Sequence, residues 1–152
     1  MTDLKAPTCR HLARIFVAFC AVGGCGWAVA IEPFSGTWTI DLRTPTERHN
    51  GMECGAAEFT LVQAGDNITG THSMATVGCG RVNEGGPVKG VIIGRTAVLV
   101  VTSGRNGAIA MGIATLSKGM LKWRQIDEIQ PGTNEGDSPL ILGSGKLNRS
   151  QP

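Results

Sequence analysis

Val88-Lys89-Gly90-Val91-Ile92-Ile93-Gly94-Arg95-Thr96-Ala97-Val98-Leu99-Val100-Val101-Thr102 is two runs of mostly aliphatic residues, 88–93 and 97–102, around a Gly-Arg-Thr break. Six residues is strand length rather than helix length, and a short polar break opened by glycine is turn chemistry. The same unit recurs along the chain. Residues 35–42 alternate, with Trp38, Ile40 and Leu42 on one face and Thr37, Thr39 and Asp41 on the other. Segments 57–63 and 67–73 flank Ala64-Gly65-Asp66, a hairpin spacing. Segments 108–116, 120–130 and 140–147 follow, separated by Gly104-Arg105-Asn106-Gly107, Ser117-Lys118-Gly119 and residues 131–137. No segment beyond Ala30 shows a helical period with caps. The chain reads as all-β with about eight strands.

Eight consecutive antiparallel strands joined by short turns must hide their edges. At this length the simplest solution is a single antiparallel up-and-down barrel, with a two-sheet β-sandwich as the alternative. The longest connection, 43–56, carries Pro45, Gly51, Cys54 and Gly55 and is expected to cross one mouth. Aliphatic residues such as Val91, Ile93, Val98, Val100 and Ile109 are expected to line the interior, together with Trp38 and Trp123. Around Trp123, alternation groups Leu121, Trp123 and Gln125 on one face and turns Lys122 and Arg124 to solvent.

The first thirty residues have a different character. Lys5, Arg10, His11 and Arg14 form a basic start, residues 15–29 an apolar run, and Ala28-Val29-Ala30 a small-residue cleavage site. That is the layout of an export signal, so residues 1–30 are read as a signal peptide and 31–152 as the barrel domain, periplasmic or secreted. The run is too short and too glycine-rich for a membrane span. Val22-Gly23-Gly24-Cys25 offers the alternative of a lipoprotein anchored through Cys25.

Subtracting the signal changes the chain's chemistry. Residues 31–152 hold eleven Lys and Arg against eleven Asp and Glu. A nucleic-acid partner calls for a basic surplus, and none remains. Of the five cysteines, three lie in the signal; Cys54 and Cys79 form an even pair in an oxidising compartment and are expected to make a disulfide. Four aromatic residues, Phe34, Trp38, Phe59 and Trp123, are few for a core of this size, so the crosslink matters to stability.

Phe34-Ser35-Gly36-Thr37-Trp38 resembles the G-x-W opening of the calycins, the small barrels that include lipocalins and avidins. The resemblance covers the first strand and the strand count. It implies that Trp38 plugs one end of an eight-strand barrel and that an arginine near the chain's end packs across it. Arg124 and Arg149 both qualify.

Catalytic chemistry is sparse. His49 and His72 are the histidines beyond the signal, and neither has a carboxylate or nucleophile at a telling spacing. His49, Met52 and Cys54, or His72 and Met74, would be soft metal ligands, but the disulfide takes Cys54. Gly143-Ser144-Gly145-Lys146 lacks the Ser or Thr that must follow a phosphate-loop lysine. No catalytic residue, metal or cofactor is assigned. Three classes remain in order: a non-catalytic binding protein for a small apolar ligand, an envelope protein-interaction or inhibitor scaffold using loops 43–56 or 81–87, and a hydrolytic enzyme.

Overall fold

The computed structural model describes residues 33–133 and 138–150. Residues 1–30, read above as an export signal with Ala28-Val29-Ala30 as its cleavage site and Cys25 as the alternative anchor, lie outside the described residues. Eight strands run in chain order: β1 (Gly36–Asp41), β2 (Cys54–Ala64), β3 (Asn67–Val77), β4 (Val82–Ile93), β5 (Thr96–Thr102), β6 (Ile109–Ser117), β7 (Met120–Gln130) and β8 (Ser144–Arg149). Each pairs antiparallel with the next, and β8 returns to β1 through Trp38 opposite Arg149 and Thr39 opposite Asn148. The sheet closes, so no edge is left unpaired. This is the up-and-down barrel, not the sandwich. Among the described residues no helix is long and apolar enough to cross a membrane.

Besides the late start of β8, at Ser144 where a strand was expected from Leu140, two local features depart from the sequence reading. A one-turn helix, α1 (Pro45–His49), sits in the β1–β2 connection. Thr44 caps it by accepting from the Glu47 backbone N–H, Glu47 returns a carboxylate to the Thr44 N–H, and Pro45 occupies the first turn. Thr44-Pro45-Thr46-Glu47 is thus a capping box with proline at N1, a signal carried by four residues without any helical period. The other departure is β4, which begins at Val82 and absorbs most of the 81–87 stretch expected as a loop. A register shift between His72 and Met74 adjusts β3 to this longer partner.

Alternation divides every strand between core and surface. On β5, Ala97, Leu99 and Val101 have no exposed surface, while Val98 and Val100 lie on the outer wall. Val91 and Ile93 on β4 are also outside, 46% and 67% exposed, and Ile109 takes the outer face of β6. These five residues were expected inside; the opposite set was chosen by the fold. Both faces of 97–101 are apolar, so a period of two separates the sets without saying which points inward.

Among the described residues, large side chains pack together in the interior. Trp38, Phe59, Leu99, Leu121 and Leu147 show no exposed surface and Trp123 only 2%. Phe59 packs edge-on against His72 and tilted against Trp123, with ring centroids 4.6 and 5.2 Å away. A large residue on one strand takes its room from a small one on the next. Gly112 of β6 lies so close to the Trp123 indole that a Cβ there would collide with the ring.

The two ends of the barrel differ. Tight turns at residues 65–66, 94–95 and 118–119 close one end, alongside Trp38, whose indole N–H donates to the Phe34 carbonyl at 2.9 Å. The longer connections 42–53, 78–81 and 103–108, and the described parts of the last one, 131–133 and 138–143, gather at the other.

Candidate functional site: the loop end

The Cys54–Cys79 disulfide joins the start of β2 to the β3–β4 turn, with Cα atoms 5.3 Å apart. Two connections far apart in sequence thereby become one surface. Gly78 N–H donates to the Glu53 carbonyl at 2.9 Å, and the Arg43 guanidinium donates to the Met52 carbonyl at 2.9 Å. Both cysteines hold left-handed backbones, φ 57° and 59°, a region that side-chain-bearing residues uncommonly occupy.

Charge fixes the other side of this rim. Asp41 at the end of β1 meets Arg43 at 3.0 Å and Arg48 of α1 at 3.7 Å. The hydrogen bonds from the Arg43 side chain and backbone hold the Asp41 carboxyl at about 2, well below its usual range. Backbone donation from Thr44 lowers Glu47 in the same way. Met52, Arg81, Arg48 and His49 stand exposed on the resulting platform.

Beneath the rim a strap closes the mouth. Leu140 and Leu142 of the β7–β8 connection are buried, and the buried polar residues of the barrel hold their backbone. Asn83 donates to the Leu140 carbonyl at 3.3 Å, Ser103 donates to the Pro139 carbonyl at 2.8 Å, and the Trp123 indole donates to the Leu142 carbonyl. His72 accepts from the Leu142 N–H through Nε2 at 3.3 Å. Its Nδ1 is buried without a hydrogen-bond partner. Burial drives the imidazole down to about 4, so it is neutral at physiological pH. The strap, and not the 43–56 connection alone, therefore covers this mouth. Asn83 and Ser103 carry no signal in the sequence, because a polar residue in a turn-rich stretch looks solvated until the strap needs its hydrogen bonds.

Outside the wall, below the rim, a groove of about 360 Å³ runs over β1–β4. Ala56, Ser73 and Ala75 line it together with Val82 and the carboxylates of Glu58 and Glu84. The fold does not gather the seven residues expected to bind a ligand into one pocket: Trp38 lies at the tight-turn end, Trp123 is fixed to the strap, and the five aliphatics face outward. Among the described residues no three His, Cys, Asp or Glu side chains come together as a metal site. His72 has no exposed surface and His49 stands on α1, so the two histidines belong to different environments. Against models of protein families, characterised proteins and solved structures, the chain gives no match.

Proposed function

We propose that this chain is an exported, non-catalytic barrel, periplasmic or secreted, that binds a protein partner through its disulfide-tied loop end. The observation carrying this reading is the Cys54–Cys79 bridge, which fuses two exposed connections into one preorganised platform on a filled barrel. Preorganised loops lose less entropy on binding, and exposed Met52, Arg48 and Arg81 are suited to protein contact. A disulfide fits an oxidising compartment. The packed interior weighs against an enclosed small-ligand site. Arg149 stacked on Trp38 supports kinship with the calycin barrels, whose scaffold this reading adopts.

Cross-linking of the oxidised protein to envelope and secreted proteins of its own cell tests the proposal. Capture is expected to be lost in a Met52→Glu/Arg81→Glu variant and kept in a Lys118→Glu variant at the opposite end. Capture indifferent to the rim overturns it, as does native mass spectrometry showing a stoichiometric small molecule.

A further inference from the structure

The outward aliphatics form an ordered apolar face. Cross-strand register places Val91, Val98 and Ile113 in one row across β4, β5 and β6, and Val100 and Met111 side by side in the next. The outer wall of β1–β3 is mostly polar, with Thr37 and Thr39 on β1, Glu58 and Thr60 on β2, and Thr69 and Thr71 on β3; Val62 is its exposed aliphatic, and Ile126 and Ile129 extend the apolar side onto β7. Apolar surface concentrated on one side of a barrel marks a contact face rather than a lipid-facing belt, which would encircle it.

The ends of the second row carry opposite charges. Lys89 on β4 lies level with Val100, Met111 and then Asp127 on β7. Both are exposed. The ion pairs among the described residues are those of Asp41 with Arg43 and Arg48, so neither Lys89 nor Asp127 has such a partner there. A two-fold axis along the strands between β5 and β6 would superpose this row on its own reverse. Val100 would then meet Met111 of the other copy, and Lys89 would meet Asp127 at both ends. The neighbouring row runs on through Ile113 to Arg124 on β7, so Val98 would meet Ile113 there and the Arg124 stem would lie against Val91.

We propose that the β4–β6 outer face is the interface of a symmetric dimer of this chain, closed by two reciprocal Lys89–Asp127 ion pairs. An isologous interface requires a self-complementary patch, and a row that runs cation, apolar, apolar, anion meets that requirement with one residue set. This surface is separate from the loop end, so the dimer and the partner-binding reading stand or fail independently.

The test is sedimentation equilibrium of the oxidised full chain over concentrations up to about 500 µM. The expected result is a reversible dimer. Lys89→Glu and Asp127→Lys should each weaken it by about tenfold, since each reversal sets two like-charge contacts across the axis. The double variant should return most of the affinity. Both positions are exposed, so circular dichroism is expected to show an unchanged fold. A monomer throughout the range overturns the proposal; so does a dimer insensitive to either reversal, or one that the double variant fails to restore.

Discussion

The guanidinium of Arg149 lies over the indole of Trp38, 4.3 Å from the ring centroid, and donates to the carbonyls of Ser35 at 2.7 Å and Pro33 at 3.0 Å. One side chain thus seals the tight-turn end and ties the last strand to the segment that enters the first. Of the two arginines left open by the calycin resemblance, Arg149 takes the place and Arg124 sits exposed on β7. Arg149→Ala should cost roughly 1–3 kcal/mol, from a stacked cation and two charge-assisted hydrogen bonds. Arg149→Lys should recover little, because an ammonium cannot stack and fork at once. Arg124→Ala should stay within about 0.5 kcal/mol. Urea unfolding of the three variants provides the comparison.

His72 gives stability a pH dependence of definite sign. Its folded value of about 4 lies below the 6.5 of an unperturbed histidine. The unfolded chain therefore binds a proton that the native barrel refuses, and stability falls as pH drops from 6.5 toward 4. Between pH 7.5 and pH 5 the loss is about 2 kcal/mol. In His72→Gln the slope over that window should largely vanish, leaving a carboxamide oxygen to accept from Leu142. Asp41 acts in a different window: its value is depressed, so its contribution holds above about 4 and fades as pH falls through about 2. Urea midpoints measured from pH 3 to pH 8 separate the two.

Removing the crosslink should both destabilise and loosen the loop end. The bridge spans a sequence separation of 25 residues, worth about 3 kcal/mol of closure entropy. Cys54→Ala/Cys79→Ala is expected to lose that amount. Hydrogen exchange should rise first at the Gly78 amide and through α1, and stay slow on β5 and β6. Equal protection loss across all strands would show that the bridge stabilises the barrel globally without shaping the rim.

Gly112 is the small partner that Trp123 requires. Gly112→Val would place two methyl-bearing branches where the indole lies and should cost more than about 2 kcal/mol, since overpacking displaces a ring hydrogen-bonded to the strap. The emission of Trp123 should shift red as the ring meets water. Gly119→Ala, at a turn with φ 73° and open space around it, should cost only about 1 kcal/mol.

What the chain wrote locally was legible without coordinates. Short apolar runs between glycine-bearing turns specified eight strands, because strand length and turn chemistry are near-neighbour properties. Gly36-Thr37-Trp38 marked the first of them, and the two cysteines beyond residue 30 left one pairing with each other. Tertiary structure alone decided the rest. Residues 97–101 are apolar on both faces, so closure of the barrel determined that Leu99 and Val101 went inside and Val98 and Val100 outside. Ser103 and Asn83 became latches only when the strap brought the Pro139 and Leu140 carbonyls to them. The proposed partner surface has the same origin: Met52 and Arg81 share one platform because eight antiparallel strands return the long connections to the same end, where the disulfide fastens two of them together.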